Sequence, residues 1–354
     1  MKIIDATKPD NELEAFLLNT LACRGGAVST FSNVEQVVRK IIDHVFHEGD
    51  RALIEYTKEF DGWEATAESL EISKAEMDAA YKKIPKTDRE ILKLAASRIK
   101  TFHKKQVQRS WTFKDEYGSI LGQKVTPIER VGIYVPGGKA AYPSTVLMNA
   151  IPAAIAGVDE IIMVTPRPKG GGAINEYVLA AAKIAGVHRV FQIGGAQAIA
   201  ALAYGTKTIP KVDKITGPGN IYVATAKRLV YGVVDIDMIA GPSEILIIND
   251  GTGEPSWIAA DLLSQAEHDE LASSVLITTK HKMAKAVSAQ VDKILAELSE
   301  QRREIAKKSL ELYGRLIVVK DFKEAVKISN RIAPEHLELF VARPKALLRS
   351  IRNA

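Results

Sequence analysis

Val190-Phe191-Gln192-Ile193-Gly194-Gly195-Ala196-Gln197 and, further on, Lys214-Ile215-Thr216-Gly217-Pro218-Gly219-Asn220 decide the fold of this 354-residue chain. Each is a short strand-favouring run closed by a glycine-rich turn and followed by a helical stretch, 196–204 after the first and 220–231 after the second. The same grammar recurs on both sides. Strand-like runs at 131–135, 161–164 and 236–239 alternate with helical patterns near 144–157 and 174–186. Strands alternating with helices at this spacing predict βαβ units and a parallel sheet. All strands of such a sheet point one way, so the turns after them gather along one edge, where open α/β sheets bind ligands. Four turns carry the pattern: Val135-Pro136-Gly137-Gly138, Gly194-Gly195-Ala196-Gln197, Gly217-Pro218-Gly219-Asn220 and Gly241-Pro242-Ser243-Glu244. Glycine admits a backbone close to a ligand, and the following helix offers its first amides to an anionic group. The plainer alternative is that Gly and Pro only punctuate the turns.

Outward from this block, the first 130 residues read as mostly helical scaffold. Ser32 with Glu35, Ser73 with Glu76 and Thr87 with Glu90 match capping boxes. Val34, Val37, Val38, Ile41, Ile42 and Val45 repeat at helical spacing up to Gly49, and Ile91, Ala95, Ile99 and Phe102 form a second stripe. After Ser243 come strand-like runs at 245–248 and 275–279 with a helix near 256–268 between them. Helical sequence then continues to about 312, followed by a strand at 316–319 and a helix near 322–331. Texture changes near 130 and 242, with no linker rich in Gly, Ser or Pro.

Composition narrows the class. With 48 Lys+Arg against 43 Asp+Glu and 46% hydrophobic residues, the chain is of ordinary globular make-up. No stretch approaches the roughly 20 apolar residues of a membrane span, and Met1-Lys2-Ile3-Ile4-Asp5 lacks the apolar core of a signal peptide, which points to the cytoplasm. The single Cys23 cannot form an internal disulfide. Basic pairs such as His103-Lys104-Lys105 and Arg302-Arg303 are scattered, without interleaved aromatics, so solvated helix faces explain them better than nucleic acid does.

Three segments carry chemistry. Gly217-Pro218-Gly219 begins like a dinucleotide fingerprint, but Tyr222 stands where the third glycine belongs; Asp235 and Asp237 lie in range for a ribose-binding acid without being convincing. In Asp261-Leu262-Leu263-Ser264-Gln265-Ala266-Glu267-His268-Asp269, helical spacing puts Gln265 and His268 on one face with Asp261. That is a potential metal-ligating pair, or simply a polar helix terminus. In Ala333-Pro334-Glu335-His336-Leu337-Glu338-Leu339, proline suits a helix start and Glu335 its positive end. The functional reading is an adjacent acid and base for proton transfer.

Taken together, YVPGGKAAYPSTVLMNAIPA from Tyr134, GGAQAIAALAYGT from Gly194, VDKITGPGN ending at Asn220, AGPSE around Ser243, DLLSQAEHD from Asp261 and APEHLE around Glu335 resemble the histidinol dehydrogenase family, from about residue 20 onward. The resemblance implies an α/β protein of two incomplete Rossmann-like domains with mostly parallel sheets, plus a helical N-terminal region. Residues 1–130 with 242–354 would form the first, discontinuous domain, and 131–241 the inserted one carrying the NAD edge. It further implies a homodimer that oxidises L-histidinol to L-histidine with zinc and two NAD, through an enzyme-held aldehyde. Matched position by position, Tyr134, Gln197 and Asn220 correspond to NAD contacts and Ser243 to a substrate contact. Gln265 and His268 correspond to zinc ligands facing the substrate, and Glu335 and His336 to the catalytic pair, His336 also touching substrate. Family members add a zinc-binding Asp and His and a substrate-binding Glu further on. Here no Asp follows Asp321 and no His follows His336, and the sequence stops at Ala354. The sequence therefore leads one to expect a truncated chain with weak zinc binding and little or no activity, or an inactive homologue retaining partial ligand binding. An aldehyde dehydrogenase with a cysteine nucleophile is disfavoured, because Cys23 sits in the helical N-terminal region.

Overall fold

The structure is a computed structural model that describes residues 1–7, 12–25, 28–137, 142–168, 172–239 and 241–354, without the side chains of 21–25 and 28–32. Gly138 and residues 139–141 of the first motif, Ala240 of the fourth, and the side chains of Cys23 and Ser32 lie outside the described residues. Two compact units emerge, one of Met1–Thr30 with Gly241–Ala354 and one of Phe31–Ala240. Residues 31–130 thus fall with the middle block, unlike the division drawn from sequence texture at 130.

The chain opens with β1 (Lys2–Asp5) and α1 (Glu12–Gly25), and α2 (Val28–Glu48) carries it into the second unit. There follow α3 (Asp50–Asp61), β2 (Glu71–Ile72), α4 (Lys74–Lys83), α5 (Lys86–His103) and an exposed hairpin of β3 (Trp111–Lys114) and β4 (Ile120–Gln123). The alternating block then reads β5 (Arg130–Tyr134), α6 (Pro143–Ala156), β6 (Glu160–Val164), α7 (Glu176–Ala185), β7 (Arg189–Phe191), α8 (Gly195–Tyr204), β8 (Lys214–Thr216), α9 (Ile221–Val230) and β9 (Asp235–Ile236). Its sheet has the order β2-β7-β6-β5-β8-β9, parallel except for β2, which runs antiparallel to β7. The chain steps outward from β5 to β6 to β7, then crosses to β8 on the other side of β5. That reversal is the strand order of dinucleotide-binding folds, which bind their ligands at the carboxyl ends of the strands where the order reverses, here β5 and β8.

Helices from the N-terminal region cover this sheet, which is why they belong to it. Val38 and Leu53 of α2 and α3 share a core with Phe191, Ile199, Ile215 and Val223 on one face. On the other, Met77 of α4 joins Ile133, Leu147, Met163 and Ala181. The Ser73 capping box is present: the Ser73 hydroxyl accepts from Glu76 N at 3.2 Å, and the Glu76 carboxylate accepts from Ser73 N at 2.8 Å. The other two boxes are corrected. Ser32 lies inside α2 rather than at its start. Thr87 lies inside α5, whose entry is set by Pro85 with its fixed φ, and the Thr87 hydroxyl donates to Asp88 instead. The inward stripe of α5 is Leu92, Ala95, Ala96 and Ile99, whereas Ile91 and Phe102 are exposed. The packed set keeps the i, i+3, i+4, i+7 rhythm, one residue round from the stripe read in the sequence.

The first unit resumes with β10 (Glu244–Asn249), α10 (Pro255–Ala266), β11 (Ser273–Thr278), α11 (His281–Glu297), α12 (Glu300–Tyr313), β12 (Gly314–Val318), α13 (Phe322–Ile332), β13 (His336–Phe340) and α14 (Pro344–Leu348). Its five-stranded sheet, β1-β12-β11-β10-β13, is wholly parallel. β10 and β11 are buried on both faces and read accordingly as nearly continuous apolar runs.

Candidate active site

In the second unit, the turns after β5, β7 and β8 meet at the carboxyl edge. Tyr134 ends β5; its ring is buried, and its hydroxyl accepts from Gly195 N at 3.2 Å at the start of α8. Burial pushes the Tyr134 phenol up to about 12, so it stays a neutral hydrogen-bonding group at any working pH. Gln197, two residues further into α8, is 1% exposed, and its Oε1 has no hydrogen-bond partner. The Thr216 hydroxyl, at the end of β8, is likewise buried and unpartnered. Asn220 caps α9, its Oδ1 accepting from Tyr222 N at 3.0 Å and Val223 N at 3.1 Å. Between them Gly217 adopts φ +114°, and a Cβ there would overlap the Tyr134 carbonyl oxygen, so only glycine lets the two chain segments approach. Two orphaned polar atoms, two helix N-termini and a glycine-only approach fit an extended polar ligand such as a dinucleotide.

The two acids in range for a ribose, unconvincing by sequence, are engaged elsewhere. Asp235 pairs with Lys214, and Asp237 pairs with the buried Lys227. The fourth turn is also corrected: Gly241-Pro242-Ser243-Glu244 belongs to the first unit, where Ser243 leads into the amino end of β10.

In the first unit the predicted residues gather at the amino edge of the sheet. Ser243 accepts through its carbonyl from Ser273 N at 2.9 Å, joining the starts of β10 and β11. Glu335 and His336 are not at a helix start, as the sequence suggested, but at the entry to the edge strand β13, with Ile245 opposite His336. The helix-dipole argument for Glu335 therefore falls. Chain direction reverses here through Ala333, the one non-glycine residue with positive φ among those described, held at +50° directly before Pro334. The Glu335 carboxylate accepts from Glu244 N at 3.3 Å, and its Oε1 lies 3.9 Å from His336 Nε2. Both side chains are about half exposed, at 48% and 56%.

Alternation along β13 sends His336, Glu338 and Phe340 to one face and Leu337 and Leu339 to the other. Phe340 packs with Ile258 and Leu262 of α10, so the His336 face is the one α10 covers. Gln265 lies in the last turn of α10. His268, expected on that helix, follows its end: the turn closes with His268 N donating to Gln265 O at 3.0 Å. One pair was missed by the sequence reading. Asp261 and Glu338 are hydrogen-bonded carboxyls, both raised by burial, Glu338 further by the adjacent Asp261 charge. Reading 335–339 as helix hid it, because only a strand puts Glu338 on the face of His336.

Against known proteins, the family model described as histidinol dehydrogenase matches residues 26–354. The chain belongs to the histidinol dehydrogenase family. The histidinol dehydrogenase of Aquifex aeolicus is 56% identical over the whole of this chain and 80% of its own length, and that of Geobacter metallireducens 56% identical over 100% and 79%. A crystal structure of histidinol dehydrogenase from Elizabethkingia anophelis superposes with a TM-score of 0.85 at 37% identity, over 93% of this chain and 77% of that one. Membership over this span favours an oxidoreductase over the inactive homologue. The two-unit α/β architecture agrees with the fold class read from the sequence.

Zinc is the one implied group the described residues do not fit. Gln265 and His268 are two donors, and among the described residues no cluster of three or more His, Cys, Asp or Glu could hold a metal. A catalytic zinc takes three protein ligands. Among the described residues no helix is long and apolar enough to cross a membrane.

Proposed function

We propose that this chain oxidises L-histidinol to L-histidine with NAD, the second unit holding the dinucleotide and the first the reacting alcohol. The observation that carries the reading is the Glu335–His336 pair, an acid and a base at 3.9 Å and half open to solvent. Tyr134, Gln197 and Asn220 would hold NAD, which accepts a hydride in each of two rounds. His336 takes the hydroxyl proton as the carbinol C–H gives up its hydride, leaving an aldehyde. Glu335 then removes a proton from water as its oxygen adds to that aldehyde, and the resulting hydrate monoanion loses the second hydride to become the carboxylic acid, which releases its last proton to solvent as the carboxylate. Retaining one substrate through both rounds protects the aldehyde from solution.

Ser243 and Gln265 stand at the same edge as candidates for gripping the substrate's polar groups. Gln265 and His268 would be this chain's contribution to a zinc shell; two donors do not hold the ion tightly, and no step above passes through it. A cytoplasmic homodimer acting on a small molecule is part of the same reading. NADH formation from L-histidinol and NAD tests it: two NADH per histidinol is the expected stoichiometry. A chain that forms none, with or without added zinc, refutes it.

A further inference from the structure

We propose that Lys227 and Asp237 are positioning residues for the dinucleotide, an ion pair that locks the Gly217-Pro218-Gly219-Asn220 turn in its binding shape. The inference rests on reading that edge as the NAD site. Lys227 lies two turns into α9 and is 2% exposed. Its ammonium donates to the Gly217 carbonyl at 2.8 Å and pairs with Asp237 Oδ1. The other oxygen, Oδ2, accepts from Gly217 N at 2.8 Å, while Oδ1 also accepts from Met238 N at 2.6 Å. One ion pair therefore grips both polar backbone groups of Gly217, the residue whose φ of +114° brings the turn against the Tyr134 backbone. Three residues on, the same turn delivers Asn220 to the N-cap of α9.

A purely structural reading accounts poorly for this pair. Burying an ammonium is costly even when paired, and an apolar side chain of equal size commonly serves a core as well or better. What a lysine supplies there, and leucine or methionine cannot, is a charged donor to the Gly217 carbonyl, fixing the peptide plane that faces the ligand edge. Asp237 adds a second consequence. It follows Gly217 by about 20 residues, the spacing at which dinucleotide folds carry the carboxylate that binds the ribose 2′-hydroxyl. In this chain both its oxygens are turned inward onto Lys227, Gly217 and Met238, so it shapes the turn and leaves the ribose unread.

The test is NAD and NADP binding by calorimetry to the 354-residue chain and to Lys227→Met, Asp237→Asn and the double variant, with amide exchange followed over 217–220. Lys227→Met leaves the partly exposed Asp237 charge in water's reach. The double variant carries no unpaired buried charge and keeps the fold if either single change unfolds it. The expected result is an NAD Kd raised about tenfold in Lys227→Met, the loss of one charge-assisted hydrogen bond. The Kd stays raised in the double variant although its melting temperature returns to that of the parent, and exchange quickens at 217–220. The NAD-to-NADP affinity ratio stays that of the parent in every variant. Parent-like NAD affinity in the double variant would show that the pair serves stability alone, and a ratio shifted toward NADP would show that Asp237 reads the ribose; either overturns the inference while leaving the NAD site standing. Absence of NAD binding by the parent chain overturns the NAD site, and the inference with it.

Discussion

Replacing Gln197 by Met should make the protein more stable and a poorer NAD binder at once. Gln197 is 1% exposed and its Oε1 meets no donor. A buried carbonyl left without a partner costs about 1–3 kcal/mol. Methionine has similar length, so the substitution removes that penalty with little change in packing and should add about 1 kcal/mol, or 2–4 °C in the melting temperature of a unit of this size. NAD reverses the order. At 100 times its Kd the cofactor stabilises the parent by about 2.7 kcal/mol. If the Gln197 hydrogen bond to NAD is worth tenfold in affinity, the same concentration stabilises the variant by only about 1.4 kcal/mol. The two proteins should then melt within about a degree of each other, although the variant melts higher without cofactor. Thermal unfolding with and without NAD measures both numbers. A variant that melts lower than the parent in the absence of NAD would refute the claim that Oε1 is an unpaid acceptor, and an undiminished NAD shift would remove Gln197 from the site.

Three further predictions follow from the same geometry. Glu335→Gln should lower kcat for NADH formation by about 10²–10⁴ and move the melting temperature little, because the side chain is half exposed; a large drop in stability would assign Glu335 to the fold instead. Asn220→Asp should keep the α9 cap, since aspartate caps as well as asparagine, yet weaken NAD binding by setting a negative charge beside its phosphates; Asn220→Ala should lose both, with about 1 kcal/mol of stability. The Asp261–Glu338 pair makes a contribution to stability that is lost as pH rises through the raised values. Both carboxyls are held above their usual range, so the folded chain retains protons that the unfolded chain releases first, and the pair's own contribution to stability is greatest below the ordinary carboxyl range. Asp261→Asn should therefore gain on the parent as pH climbs through the raised values and match it in acid. Denaturant melts across pH measure this, and a gain confined to low pH would refute the pairing.

The alternation of β-branched runs with helical stretches from 131 to 239 sufficed to predict a parallel α/β block, because periodicity of 2 against 3.6 is a local property of the chain. The six motifs sufficed to name the family. Local pattern also found one true capping box, at Ser73, where both hydrogen bonds lie within four residues. It misjudged Pro334-Glu335-His336, since a proline after a helical stretch suits a helix start as well as the turn into a strand. Pairing with β10, 91 residues earlier, made it a strand.

Strand order belonged wholly to the tertiary structure. The crossover from β7 to β8 on the far side of β5 brings the Gly217 turn against Tyr134, and nothing within either segment specifies on which side of β5 the next strand lands. Partnership of charges was decided there too. Spacing alone puts Asp237 in range of a ribose and says nothing of a partner for Glu338; only the fold turns one onto the ammonium of Lys227 and the other onto Asp261. Residue type and spacing determine what chemistry a chain carries. Which of those groups face a ligand and which face each other depends on contacts between distant segments, and those exist only once the sheets have formed.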